Sequence, residues 1–190
     1  MKKISKMKDD LKKDDMKLVD LSIKGCSDSF SKLVMKYEGL CMSYIVRMTG
    51  CGADHEDILQ ETYLKAYNAL GSYNDEYSFS TWIIKIAHNN CIDHFRSNKK
   101  NAVIYLNEIQ QKLSSSSVED KVISNELREN IFNKIVSLPK HYRSVFLLRH
   151  YCELSYDEIS WIADVPLGTV KSRINETRRK IRTEVYNNEL

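Results

Sequence analysis

SYDEISWIADVPLGTVKSRINETRRKIR, residues 155–182, reads as two helices broken by a short turn. Ser155 followed by Glu158 is a capping box, in which a hydroxyl and a carboxylate satisfy free N–H groups at a helix start. The first helix spans 155–163, and Asp164, Val165 and Pro166 make the turn. Asp tolerates the left-handed conformation that such a turn needs, so Asp164 can close it without glycine. The second helix, 167–185, stacks Val170, Ile174, Ile181 and Val185 on one side. At about 100° per residue the opposite side carries Ser172, Asn175, Glu176 and Arg179. Lys171, Arg173, Arg178 and Arg182 flank that row. A helix, a turn of three residues and a basic second helix is the hairpin that enters the DNA major groove. Asn and Arg in the middle of the row can pair with base edges, and the flanking Lys and Arg suit phosphates. Thr169 and the backbone N–H groups of the first turn are candidate phosphate holders. One such unit binds weakly and in a salt-sensitive way, so a second DNA-binding element or a partner is implied.

Helical patterning extends over most of the chain. Only six Gly and two Pro occur among 190 residues, which disfavours a turn-rich β fold. Upstream of the hairpin, Tyr142, Val145, Phe146 and Leu148 repeat at helical spacing, with Pro139 suited to the first turn. A further helical pattern covers 122–136. Near the N-terminus, 16–24 predicts a short helix ended by Gly25. Phe30, Leu33, Val34, Tyr37, Leu40, Cys41, Tyr44, Ile45 and Met48 predict a longer one, ended at Gly50 and Gly52. Asp54 caps a third, whose expected buried stripe is Leu59, Tyr63, Ala66, Tyr67 and Leu70. A fourth buries Phe79, Trp82, Ile83, Ile86 and Phe95, with His88, Asn89, Asp93 and Arg96 expected mostly off that face. The fold class is therefore all-α: two small helical domains, 16–97 and 119–190. A flexible linker, 98–118, joins them, and a frayed charged tail, 1–15, leads in.

Formal net charge is only +3, but its distribution is uneven. Residues 54–76 hold six acids and one lysine, whereas 167–182 hold six bases and one glutamate. One surface suits a basic partner and the other a polyanion. Five cysteines without a CxxC pair read as reduced thiols of a cytoplasmic protein. His88, Cys91 and His94 are a conceivable ligand set, but their spacing splays them around a helix and no fourth ligand accompanies them. No metal, cofactor or catalytic residue is assigned. No apolar run reaches membrane-spanning length, so no membrane insertion is expected.

The hairpin carries LSYDEI and PLGTVKSRI, and residues 54–96 carry DILQETYLKAY, FSTWIIKIAHN and CIDHFR. The first set resembles region 4, and the second region 2, of extracytoplasmic-function (ECF) sigma factors, the small members of the sigma-70 family. Both occur in the expected order and together cover about 16–185. The resemblance implies a protein that binds core RNA polymerase, directs it to promoters and helps to open the DNA. It implies that region 2 docks on the polymerase clamp helices and engages the −10 element, while region 4 sits on the flap and reads the −35 element. Asp57, Gln60 and Glu61 match the polymerase-facing segment. Tyr73, Asn74, Tyr77 and Ser78 match the loop that captures a flipped base. Trp82 matches a melting residue and also fits the core. Lys85, His88, Asn89 and Arg96 are candidates for the upstream edge of the −10 element. Thr169, Lys171, Ser172, Arg173, Asn175, Glu176, Arg178 and Arg179 are the −35 candidates. An anti-sigma factor is an expected further partner. Trp161 departs from the family pattern, which usually has a charged residue there. The alternative is a dimeric helix-turn-helix regulator that acts without replacing a sigma factor, and it predicts operator binding in the absence of polymerase.

Overall fold

The computed structural model describes residues 2–51, 53–97 and 132–186. Among them there is no strand. Helix α1 spans Lys2–Ile23, α2 Ser27–Thr49, α3 His55–Ala69 and α4 Phe79–Ser97, with a 3-10 turn at Leu70–Ser72. After a helical stretch at 132–137 come α5 (Lys140–His150), α6 (Tyr156–Ala163) and α7 (Leu167–Tyr186). The expected linker, 98–118, and the first part of the 122–136 helix lie outside the described residues, as does Gly52.

Local chemistry sets the helix boundaries. Gly25, at φ +92°, ends α1. Its N–H donates to the Ser22 carbonyl and that of Cys26 to Leu21, the paired bonds of a left-handed helix stop. The Asp54 carboxylate accepts the Asp57 N–H at 3.2 Å and caps α3. Ser78 accepts the Thr81 N–H at 3.2 Å at the head of α4. The Ser155–Glu158 capping box is complete, and Asp164 adopts φ 51°, ψ 51°, as the turn requires.

Around α2, Leu33, Cys41, Tyr44, Ile45 and Met48 are fully enclosed by Ile58, Leu59 and Ala66 of α3 and by Phe79, Ile83, Ile84, Ala87 and Cys91 of α4. The hairpin closes over Val145, Leu147, Leu148, Ile159, Ile162, Val170 and Ile174. At roughly 2 kcal/mol per buried large aliphatic side chain, each group is a core in its own right. The two groups nevertheless merge into one apolar cluster, because α4 packs on α6 and α2 on α5. Burial pushes the thiols of Cys41, Cys91 and Cys152 up to about 12, which keeps them protonated and unreactive.

Three expectations change. The 1–15 tail is not frayed, since α1 runs unbroken from Lys2. Asp15 is buried and accepts from Lys36 Nζ and Tyr37 Oη, while Lys12 Nζ donates to the Asp75 carbonyl, and these bonds pin α1 to α2 and the loop before α4. Tyr67 is half-exposed rather than part of the α3 stripe; Ile58 and Thr62 are buried in that helix. His88 is not on the solvated face of α4, and its surroundings are described below.

Candidate nucleic-acid interface

Val170, Ile174 and Thr177 fix one side of α7 in the hairpin core. That orientation leaves Lys171, Ser172, Asn175, Arg178 and Arg179 exposed and Thr169, Arg173 and Glu176 partly so. The predicted row is therefore continuous and outward. Its members are not all unoccupied. Glu176 takes a two-pronged contact from Arg179, at 3.0 Å from Nε and 2.8 Å from Nη2, and lies 3.9 Å from Lys180 Nζ. The fork holds the Glu176 carboxyl below its ordinary range, through the Arg179 hydrogen bond first. Glu176 thus orients Arg179 instead of offering a free acceptor. The Thr169 N–H is also engaged, donating to the Pro166 carbonyl at 2.8 Å, which leaves its side chain as the phosphate candidate.

Helix α5 adds residues that the linear pattern did not suggest. His141 lies near Arg173 and His150 near Arg178, and both imidazoles are held below their ordinary range, chiefly by burial and then by those cations. Lys180 sits over the Tyr142 ring, 5.7 Å from its centre. The basic surface consequently spans two helices and not one.

The second cluster lies on the 72–78 loop and α4. Tyr73 is half-buried, with its ring edge-on to Phe79 and Trp82 and its hydroxyl donating to the Tyr77 carbonyl at 3.0 Å. It braces the loop. Asn74 is exposed, and its side chain accepts the Glu76 N–H at 3.4 Å. Ser78 is the α4 cap and shares hydroxyl contacts of 2.8 Å with Ser80 and Thr81. Trp82 packs against Phe79 at a 5.5 Å ring separation, in partial contact with solvent. Asn89 and Arg96 are exposed, the latter paired with Asp93 at 3.1 Å. Lys85 is partly buried beneath the indole of Trp161, which also stacks on Tyr77.

His88 is only 5% exposed and corrects its placement among the surface candidates. Its Nδ1 lies 2.8 Å from the hydroxyl of the fully buried Tyr44. It follows the apolar face because α4 is buried against both α2 and α3, which widens that face beyond one stripe. Burial, aided by Lys85, lowers its pKa to about 4. In the unfolded chain the ring protonates near 6.5, whereas in the fold it stays neutral down to about 4. The unfolded state therefore binds more protons in this window, and stability falls as pH falls through it. The loss attributable to His88 should reach about 2 kcal/mol at pH 5 relative to pH 7. Urea unfolding at the two pH values checks this: His88→Gln, which can still accept from Tyr44, should lose distinctly less. Equal losses in both proteins would contradict the assignment.

On α3 the sequence-predicted Asp57, Gln60 and Glu61 are all exposed. Glu61 pairs with Lys65 at 2.9 Å. Leu64, 62% exposed, and Tyr67, 49% exposed, continue that surface by one to two turns. Tyr67 was hidden in the sequence because its helical spacing puts it on the expected core stripe, whereas Leu64 falls outside that stripe and received no role there. Among the described residues no His, Cys, Asp or Glu side chains converge as a metal site, so the His88, Cys91 and His94 set has no counterpart there.

Two family models match the chain: sigma-70 region 2 over residues 33–101 and sigma-70 region 4 over residues 128–181. The ECF RNA polymerase sigma factor SigW of Bacillus subtilis is 36% identical over 173 residues, covering 85% of this chain and 91% of that protein. The ECF RNA polymerase sigma-E factor of Escherichia coli K12 is 34% identical over 186 residues, covering 90% and 94%. Among solved structures, CnrH in complex with the cytosolic domain of CnrY superposes with a TM-score of 0.67 at 20% identity, over 92% of this chain and 98% of that one. The sigma factor RpoE of Bartonella quintana, in complex with the anti-sigma factor NepR, gives 0.66 at 18% identity, over 83% and 96%. These two agree with the all-α architecture. With both sigma regions matched in order and relatives aligned over nearly their whole length, the chain belongs to the ECF sigma factors of the sigma-70 family.

Proposed function

We propose that this protein binds core RNA polymerase, directs it to promoters with −10 and −35 elements, and assists strand opening in the cytoplasm. The observation that carries the reading is the outward row of α7, polar at its centre and basic at its flanks, held by a capped and packed hairpin. Polymerase performs the chemistry. The chain supplies placement, with α7 on the −35 duplex and the 72–78 loop and α4 on the −10 strand. Each contact alone is weak, and joining both on one polymerase raises the effective concentration of the second once the first is made. The acidic α3 face is the proposed polymerase contact, through complementarity with a basic surface. The Bartonella quintana RpoE structure is a complex with the anti-sigma factor NepR, and an anti-sigma factor is accordingly a proposed partner here. No described helix is long and apolar enough to cross a membrane.

Transcription in vitro with active core polymerase and a promoter library tests this. Promoter-specific transcripts that require the added protein are expected. Duplex operator binding without polymerase, together with no new transcript, would refute the sigma role and favour the dimeric regulator.

A further inference from the structure

The contacts of α1 converge on the 72–78 loop. Lys12, Asp15, Val19 and Ser22 share one face of the helix by their spacing; the last three are buried and Lys12 is partly so. That face packs on α2, on the 3-10 turn and on α4. A carboxylate is rarely buried without donors, and Asp15 has two, Lys36 Nζ and Tyr37 Oη. The Tyr37 ring in turn lies against Phe79, the first residue of α4, with 5.6 Å between ring centres. Phe79 meets the Tyr73 ring edge-on at 5.8 Å, and Tyr73 meets Trp82 at 5.3 Å. Burial, followed by the charges of Asp15 and Asp75, pushes the Tyr73 hydroxyl up to about 12, so it stays a donor to the Tyr77 carbonyl. Three residues before Asp15, Lys12 Nζ donates to the Asp75 carbonyl in the loop itself.

Docking α1 requires Asp15 and Val19, and it does not require Lys12. The Tyr73–Tyr77 and Asn74–Glu76 hydrogen bonds are short-range: they shape the loop without fixing it to the helices. Lys12 and the Tyr37–Phe79–Tyr73 ring contacts do fix it. Lys12 takes hold of a backbone carbonyl, which sets the path of the chain and leaves the Asn74 side chain exposed to a ligand. We infer that α1 braces the 72–78 loop for capture of the −10 strand, with Lys12 and Asp15 as positioning residues. Lys12 holds the loop backbone, and Asp15 holds the Tyr37 ring against Phe79, on which Tyr73 rests. This rests on the promoter-binding reading above. Capturing a base costs its unstacking and the ordering of the loop that receives it. A loop already held in shape has met the second cost. Its apparent affinity then rises with the fraction of time it spends in that shape.

The test uses the full chain, free and bound to core polymerase. In the holoenzyme, on fork-junction DNA that exposes the −10 non-template strand, Lys12→Ala should weaken DNA binding about fivefold, with Lys12→Arg close to the parent. Tyr37→Phe keeps the ring on Phe79 but loses the Asp15 contact, and should weaken binding by a similar factor. On the same DNA with the captured base replaced by an abasic site, parent and variants should bind alike, because a loop with no base to hold gains nothing from being placed. A merely structural role for α1 would leave the deficit in place. In the free chain, amide hydrogen exchange across 73–78 should quicken about fivefold in Lys12→Ala, while exchange across 41–48 in the core of α2 stays as it was. Equal binding of parent and Lys12→Ala to the intact DNA, a deficit that persists on the abasic DNA, or unchanged exchange of the loop would each overturn the proposal. The exchange measurement needs no polymerase. A loop that loosens as stated, in a chain that yields no transcript with active core, supports the brace and refutes the sigma reading.

Discussion

Arg179→Glu should reduce transcription from promoters that depend on a −35 element by on the order of 100-fold, equivalent to about 2.7 kcal/mol. Two effects combine. A good two-pronged side-chain contact to a base contributes about 1–3 kcal/mol of discrimination, and the substitution removes it. It also places a carboxylate one turn from Glu176 and turns an attractive contact with the duplex into repulsion. Arg179 is exposed on α7 and contributes nothing to the hairpin core, so the melting temperature should hardly move. Arg179→Lys is the informative control. It keeps the charge but loses the planar fork, and should retain non-specific DNA binding while relaxing sequence preference. Transcription on a set of single-base −35 variants, paired with a core-binding assay, checks the assignment. A comparable loss of core binding would contradict it, because α7 would then serve polymerase and not DNA.

The hairpin was legible in the sequence because its determinants are local. The Ser155–Glu158 box, the left-handed Asp164 and the Val170 and Ile174 spacing each act within a few residues, so pattern and geometry agree. Asp54 belongs to the same class. What was not legible depends on partners far along the chain. The sequence of 1–15 looks solvated because the bonds that order α1 come from Lys36 and Tyr37 to Asp15, more than twenty residues away. His88 looks like a surface residue until Tyr44, on another helix, satisfies its ring. Trp161 stood out as unusual for its position, yet nothing near it in sequence names Tyr77 and Lys85 as its neighbours. Tyr67 erred in the opposite direction: periodicity counts an apolar residue as core, and only packing leaves it half-exposed.

The α3 surface should produce the other large effect. Asp57→Lys combined with Glu61→Lys is expected to weaken binding to core polymerase by on the order of 30-fold, mostly through slower association. The loss should shrink as salt rises from about 50 to about 200 mM, because exposed charges are screened over roughly 8–10 Å. Both acids are exposed, and Glu61 gives up only a surface pair with Lys65, so the fold should tolerate the change. Leu64 and Tyr67 predict a different signature. An exposed leucine and a half-exposed tyrosine beside those acids have the composition of an interface centre, where a few buried apolar or aromatic groups carry most of the affinity. Leu64→Asp should therefore speed dissociation by on the order of 100-fold, with little salt dependence, while leaving binding of the isolated chain to single-stranded DNA untouched. Association and dissociation rates measured with labelled protein and core polymerase separate the two. If the charge reversals altered dissociation and Leu64→Asp altered nothing, the acids would be the centre of the contact. The apolar pair would then face solvent even in the holoenzyme.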